Sequence, residues 1–359
     1  MMKEHSDITL QIIMNEFIEL ADSLAKCEHK TFSPPFQSYE EGNIDILDFY
    51  NEFFDKYIER LQQIDQDAIN CVNLCMQKLV QKHNNAVITF NIIEETEKLC
   101  KCIVSSTTQY FKGFPSIAYD ELENVFVENS CHLLALLPQL IVETPGFTFY
   151  RTRKGKDIKN RKELFHIPFE GRTKCSSYRV STLGYPSLYL SESLETALLE
   201  VGATNLSEYY FSCFKSTSKM CFVDLALPNR ELAFYEHYSL ILFYPLIVAC
   251  GLKVRNQTDP FKPEYIIPQL LTQVIRLHSN HIIGFTYTST KRPKIDYTDP
   301  MQRNYVVYVP NTDQPKGYSE ELTSLFDVTE PFSCQLASNQ NFIDLERIAK
   351  SMDFKKIDE

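Results

Sequence analysis

The sequence predicts an α+β protein in which an all-helical N-terminal domain precedes a mixed α+β domain. Up to residue 145 the apolar residues recur at helical spacing, whereas short, alternating, aromatic segments follow from Phe147. The charge changes at the same place, because residues 1–146 carry a formal charge of −13 and residues 147–359 carry +2. The turn sequence ETPG marks the boundary. We therefore expect domains at residues 1–145 and 146–318, followed by a C-terminal tail at 319–359.

The N-terminal domain is predicted from four apolar patterns. The first is SDITLQIIMNEFIELADSLAKC, which follows a Ser6/Asp7 cap and ends before the breaker FSPPFQ. The others are IDILDFYNEFFDKYIERLQQI, AINCVNLCMQKLVQKH and NVFVENSCHLLALLPQL. An acidic helical domain of this kind suits a regulatory or partner-binding role.

The mixed domain is predicted to begin with the strand GFTFYRTR, which a long basic segment follows. YPSLYLSESLETALLEVG then reads as a strand that turns Leu188 and Leu190 to one face, and as a helix capped by Ser191 or Ser193. The elements that follow in the chain are predicted to be the strands YYFSCFKS and KMCFVDLAL, the helices LAFYEHYSLILFYPLIVAC and PEYIIPQLLTQVIRLH, the strands HIIGFTYTST and RNYVVYVP, and a tail helix in FIDLERIAKSMDF.

Composition excludes several function classes. The 11 cysteines are scattered without a CxxC pair, which is typical of reduced thiols in a cytoplasmic protein. The longest apolar run, YSLILFYPLIVACGL, is too short to span a bilayer, and the N-terminus does not resemble a signal peptide. No metal-binding motif and no glycine-rich nucleotide loop is present. We expect no membrane association and no resident cofactor.

Several polar residues stand where a site could form. Glu200 falls just off the apolar stripe of its helix, a position that suits either a carboxylate at the edge of a cleft or a solvated glutamate. Tyr189 faces away from its leucine neighbours and could stack on a ligand ring or pack between sheet and helix. Ser289 ends a strand, which equally suits a turn residue.

Two arginines share one face of the strand FYRTR. Arg151 and Arg153 precede a basic segment, so they could hold phosphate groups or belong to a solvated basic loop. Nucleic acid is the less favoured partner, because aromatic residues are not interleaved with the basic ones as stacking platforms require.

The order of FYRTR, SLYLSESLETALLEV, YIIPQLLTQVI, IIGFTYTST and NYVVYVP resembles the RES-domain family over roughly residues 147–312. RES domains are similar in fold to ADP-ribosyltransferases, and the best-known members are bacterial toxins that destroy NAD+ and are neutralised by an antitoxin. The resemblance places the family's arginine at Arg151, its tyrosine at Tyr189, its glutamate at Glu200 and its serine at Ser289. It also points, less specifically, to Arg179 and Asn304. The long insert after Arg151 and the sequence GFTYTST depart from the family pattern.

The resemblance implies an NAD+-consuming enzyme that cleaves the nicotinamide–ribose bond as a toxin or anti-phage defence effector. It would act as a phosphorylase, with phosphate as co-substrate, or as a glycohydrolase. Glu200 would stabilise charge on the ribose, Tyr189 would stack on nicotinamide or close the pocket around it, and Ser289 would bind the ribose or hold Glu200. Arg151 with Arg179 would bind the pyrophosphate. Arg153, from its shared strand face with Arg151, and Asn304 are further candidates for substrate binding. Partners would be NAD+, an antitoxin or regulatory protein, and a second copy of the chain.

Two other functions stay open. On the same scaffold the protein could be an ADP-ribosyltransferase that modifies a macromolecule. Alternatively it could be a non-enzymatic interaction protein whose acidic helical domain and basic segment are docking surfaces. The charge difference also suggests that residues 1–145 shield the basic segment, in which case their deletion would raise activity.

Overall fold

The structure, a computed structural model, describes residues 13–84, 90–127, 133–143, 147–228, 230–292, 295–310, 313–335 and 342–357. The chain divides into a helical unit, Met1–Pro138 with Leu227–Ser279, and a sheet unit, Gln139–Ala226 with Asn280–Glu359. The expected α+β class, with helices in the N-terminal region followed by a mixed sheet, is confirmed. The Ser6/Asp7 cap lies outside the described residues.

The described α-helices are numbered here in chain order. They are α1 (Asn15–Ala25), α2 (Gln37–Glu40), α3 (Ile46–Gln62), α4 (Gln66–Asn84), α5 (Ile92–Phe111), α6 (Pro115–Val127), α7 (Leu133–Leu136), α8 (Leu194–Glu200), α9 (Phe234–Gly251), α10 (Ile266–His278), α11 (Glu320–Ser324) and α12 (Phe342–Lys350). Within these described segments no helix is both long enough and apolar enough to cross a membrane.

Helix α9 accounts for the clustering of residues 227–279 with the N-terminal helices. Its residues from 237 to 250 are all buried, and a helix that is apolar all round needs packing partners on every side. Tyr57 donates a hydrogen bond to the carbonyl of Ile241 at 2.9 Å, and Tyr244 donates to the carbonyl of Phe32 at 2.7 Å. These residues were expected in the mixed domain, so the compact units interleave along the chain where the prediction had consecutive domains.

The sheet unit is built on nine strands among the described residues. They are β1 (Gln139–Val142), β2 (Thr148–Lys154), β3 (Ser187–Ser191), β4 (Tyr209–Ser216), β5 (Met220–Asp224), β6 (Ile282–Thr288), β7 (Arg303–Tyr308), β8 (Phe326–Val328) and β9 (Phe332–Ser333). Their order across the sheet is β1-β5-β6-β7-β3-β2-β4-β8, with β9 also paired to β4. Only β5 and β6 run parallel within this described sheet.

Strand β1 corrects the sequence prediction, which placed its first residues at the end of a helical run. Pro138 disfavours helix in the residue before it, and the following Leu-Ile-Val suits an edge strand that pairs antiparallel with β5. At the other end of the sheet, β8 and β9 come from the segment expected to be a tail. The helix expected in that tail is present as α12.

The predicted alternation in β3 matches the burial of its residues. Leu188 and Leu190 are buried in a core that includes Phe149, Tyr305 and Val307, whereas Tyr189 is only partly buried. Because successive side chains of a strand point to opposite faces, Tyr189 and Ser191 lie on the face away from this core. Tyr189 and Ser191 are therefore available for a binding or catalytic site on the face of β3 opposite the apolar core.

His166 anchors the basic segment that follows β2. The sequence pattern predicted no helix or strand for this segment, and the structure shows two short 3₁₀ turns in it, Arg161–Leu164 and Phe169–Lys174. His166 between them is 1% exposed, its Nδ1 lies 2.7 Å from the carbonyl of Ile167, and its Nε2 accepts from the amide of Ser319 at 2.9 Å. A neutral ring with the proton on Nδ1 satisfies both contacts.

Acidification is expected to destabilise the fold through His166. Burial, and to a lesser extent the nearby Arg151, lower its pKa to about 4 against the opposing effect of the hydrogen bond to Ile167. Because the unfolded histidine titrates near 6.5, its stabilising contribution is complete above that pH and is lost as the pH falls towards 4. At pH 4.5 the free energy of unfolding is expected to be lower by about 2 to 3 kcal/mol. The free energy of unfolding, measured with urea at pH 7 and at pH 4.5, should fall more between these two pH values for the native chain than for His166→Gln. An equal fall in the two proteins would contradict this role of His166.

Candidate active site

Helix α8 carries Glu200 at its C-terminal end. The Ser193 side chain caps the helix by accepting from the amide of Thr196 at 3.2 Å, so of the two serines considered Ser193 is the cap. Thr152 on β2 donates to the carbonyl of Ala197 at 2.7 Å, which ties the helix to the sheet. A helix of only seven residues is unstable in isolation, so contacts of this kind determine where Glu200 lies.

The Glu200 carboxylate accepts two hydrogen bonds at one oxygen. Ser289 Oγ donates to Oε1 at 2.5 Å and Asn304 Nδ2 donates to the same oxygen at 2.7 Å. Both donors are buried, with Ser289 0% and Asn304 2% exposed, whereas Glu200 is partly exposed. The arrangement leaves Oε2 without a hydrogen-bond partner among the described residues, on a side chain that solvent reaches.

Ser191 sets the orientation of the Asn304 amide. Its hydroxyl donates to Asn304 Oδ1 at 2.7 Å, which directs the amide nitrogen towards Glu200. Ser191 and Asn304 are also register partners of β3 and β7, and Tyr287 of β6 pairs with Asn304 on its other side. The three residues form a row across the sheet beside the glutamate.

Arg151 lies where the β2–β3 ladder ends. The register of β2 with β3 consists of one pair, Tyr150 with Ser191. Next to this pair, Arg151 Nη1 donates to the carbonyl of Tyr189 at 2.7 Å. Burial, together with the nearby Arg153, lowers the pKa of Arg151 to about 10, so the guanidinium is charged at neutral pH. Its Nε is buried without a hydrogen-bond partner in the described part of the chain. An unsatisfied buried donor of this kind suits an incoming anionic acceptor.

Aromatic rings surround the same region. The ring centroids of Tyr178 and Tyr189 are 5.5 Å apart, and the Tyr189 hydroxyl lies 2.7 Å from Ser181 Oγ. Arg179, which is 6% exposed, lies over the ring of Tyr287 at 5.6 Å. Tyr178 is half exposed, so this cluster extends from the buried row to the surface.

The structure thus joins Glu200, Ser289 and Asn304 in one hydrogen-bonded group and links Arg151 to the Tyr189 backbone. Arg153 lies outside these hydrogen bonds, because it is exposed and its Nη1 donates to the carbonyl of Glu163. Sequence patterns indicated no role for Ser181 or Tyr178, and Ser191 was expected only as a possible helix cap. The shared face of Ser187, Tyr189 and Ser191 was a usable signal for Ser191.

This arrangement can stabilise positive charge on a bound molecule. It holds a single fixed carboxylate, which Asn304 of β7 binds, and a charged arginine, which binds the backbone of the neighbouring strand β3. The ring of Tyr189 on β3 lies beside that of the half-exposed Tyr178. The arrangement lacks the pair of facing carboxylates that ordinary glycosidases use, as far as the described contacts of Glu200 show.

Comparisons with known proteins give two matches. The family model described as the RES domain matches residues 148–323. A Bacillus subtilis (strain 168) protein named "Putative toxin YopC" is 28% identical over 310 residues, which cover 80% of this chain and 70% of the relative. No solved structure matches. Every residue of the site described above lies within the matched range. The RES domain expected from the sequence is therefore confirmed by this match, which covers residues 148–323 of the chain.

Proposed function

We propose that this protein is a toxin that consumes NAD+ by cleaving the bond between nicotinamide and ribose. The RES domain and the relative named as a toxin support the general class. The single observation that carries the chemistry is the Glu200 carboxylate, which Ser289 and Asn304 hold at one oxygen while the side chain stays accessible.

Cleavage of this bond develops positive charge on the ribose. In the proposed mechanism Glu200 faces that charge and stabilises it, and the fixed donors keep the carboxylate from reorganising during the reaction. Nicotinamide carries a positive charge before it leaves, so it needs no proton from an acid. One carboxylate is then sufficient, in agreement with the described contacts.

Arg151 and the tyrosines would bind the rest of the dinucleotide. The charged guanidinium has an unsatisfied buried Nε to offer to a pyrophosphate oxygen, and this contact requires no glycine-rich loop. Tyr178 and Tyr189 present ring faces on which a flat heterocycle can stack. Arg179, which is buried, adds a second cation to the same region.

The nucleophile decides between phosphorylase and glycohydrolase. The test is to incubate the purified protein with NAD+, with and without inorganic phosphate, and to quantify nicotinamide and the second product. Release only with phosphate identifies a phosphorylase, and release in both conditions identifies a glycohydrolase. If NAD+ stays intact in both, the proposed function is wrong and a non-enzymatic interaction protein is the better interpretation.

Transfer to a macromolecule is the alternative within the same chemistry. NAD+ labelled in its adenine moiety distinguishes it, because the label would appear on protein or nucleic acid instead of in a small product. As part of the proposal, a neutralising protein partner would act on this chain, as expected for a toxin made inside its own cell.

A further inference from the structure

We infer that the C-terminal helix α12, which lies outside the matched RES range, positions the helix that carries Glu200, and that Glu346 is the positioning residue. The inference rests on the proposed function for its effect on catalysis. The inference that α12 positions α8 depends only on the contacts between these two helices.

Glu346 supplies a hydrogen bond that α8 cannot make for itself. The first amides of a helix have no partner inside the helix, and Ser193 satisfies only that of Thr196. The amide of Leu194, the first residue of α8, donates instead to Glu346 Oε1 at 2.7 Å. A carboxylate at this end of the helix also interacts favourably with the helix dipole.

Apolar packing joins the two helices over the same interface. Leu345 and Ala349 of α12 are buried in a cluster with Leu194, Ala197 and Leu198 of α8. Leu345 and Ala349 are one turn apart, so they form the buried stripe of an amphipathic helix, and Glu346 lies beside it. α12 therefore fixes both the start and the buried side of α8.

Helix α12 also contacts β2, the strand that carries Arg151. Tyr150 belongs to the same apolar cluster, and Lys350 Nζ lies 5.6 Å from the centre of its ring. Tyr150 precedes Arg151 and is the register partner of Ser191. One helix thus packs against the elements that place Glu200, Arg151 and Ser191.

Small displacements of α8 would matter for catalysis. Glu200 lies at the end of α8 opposite the Leu194 amide, so a tilt of this two-turn helix shifts the carboxylate relative to Ser289 and Asn304. A misplacement of about 1 Å of a reacting group costs on the order of 100-fold in rate. Partial loss of the α12 contact should therefore lower kcat more than it changes KM.

The test compares Glu346→Ala, Glu346→Gln and Asp344→Ala in the full-length chain. Asp344 is the matched control, because its carboxylate on the same helix pairs with the exposed Arg347. NAD+ turnover gives kcat and KM, and hydrogen exchange followed by mass spectrometry gives the protection of the peptide containing α8. Circular dichroism confirms that each variant is folded.

Glu346→Ala is expected to lower kcat about 10- to 100-fold with little change in KM, and to speed exchange in α8. Glu346→Gln keeps an acceptor for the Leu194 amide, so it should recover most of both properties, and Asp344→Ala should match the native chain. Unchanged exchange in α8 for Glu346→Ala overturns the inference. If the native chain leaves NAD+ intact, the proposed function fails, and the exchange measurements still decide whether α12 positions α8.

Discussion

Replacing Glu200 with glutamine is expected to reduce NAD+ cleavage about 1000-fold while the chain keeps its fold. Loss of one fixed group that stabilises transition-state charge costs roughly 100- to 1000-fold, and Glu200 is the central such group here. Glutamine keeps an oxygen that can accept from Ser289 and Asn304, so the hydrogen bonds that hold the end of α8 survive. Only the negative charge is removed.

Nicotinamide release over time measures this effect, with thermal unfolding as the check on the fold. Glu208→Gln is the matched control, because its carboxylate is exposed and pairs with Lys154 on the surface. Such surface pairs contribute little to stability, so this variant should turn over NAD+ at the native rate. Native turnover by Glu200→Gln would remove Glu200 from the mechanism.

The local part of the site was predictable from the sequence. The alternation around Leu188 and Leu190 placed Tyr189 on the opposite face, and helical spacing placed Glu200 at the edge of the buried stripe of α8. These inferences need only the periods of a strand and a helix, which neighbouring residues determine. The functional roles came from the family resemblance and remain proposals.

The contacts between distant elements were not predictable in this way. The Ser191–Asn304 hydrogen bond depends on the register of β3 against β7, and those residues are 113 positions apart. Likewise, the sequence of α9 predicts neither a surface helix nor a half-exposed strand, because its apolar residues lie on every side of the helix and show no period. The elements that pack around α9 are distant in sequence, so local sequence patterns do not predict them.

The packing of α9 also changes how a regulatory role of the N-terminal domain should be tested. Deleting residues 1–145 would remove Tyr57 and Phe32, which hydrogen-bond to α9, together with the apolar neighbours that cover it. Such a truncation is expected to expose a long, mostly apolar helix whose residues 237–250 are all buried in the intact chain, and to cause aggregation. Charge-reversing substitutions on the acidic surface of the intact chain are therefore the better test.

Replacing Asn304 with aspartate is expected to lower NAD+ cleavage about 100- to 1000-fold at pH 8. This loss of activity should become smaller as the pH is lowered. Asn304 Nδ2 donates to Glu200 Oε1 at 2.7 Å, so the variant places a second carboxylate against the first in a buried position. The two negative charges repel, and Glu200 moves away from Ser289 or shares a proton with its new neighbour. Either result removes the fixed single charge on which the proposed mechanism depends.

Protonation of the introduced carboxylate would restore the missing donor in Asn304→Asp. The carboxylic acid hydroxyl could bond to Glu200 as the amide did, while its other oxygen accepts from Ser191 as Asn304 Oδ1 does. The activity of Asn304→Asp relative to the native chain should therefore rise as the pH falls from about 8 to about 5.5. Asn304→Ala removes the donor without adding charge, so its relative activity should be higher than that of the aspartate variant at pH 8 and should not depend on pH. If both variants show the same pH-independent loss, then Asn304 serves only to fill space, and the two hydrogen bonds at Glu200 Oε1 do not determine the charge that the site presents to its substrate.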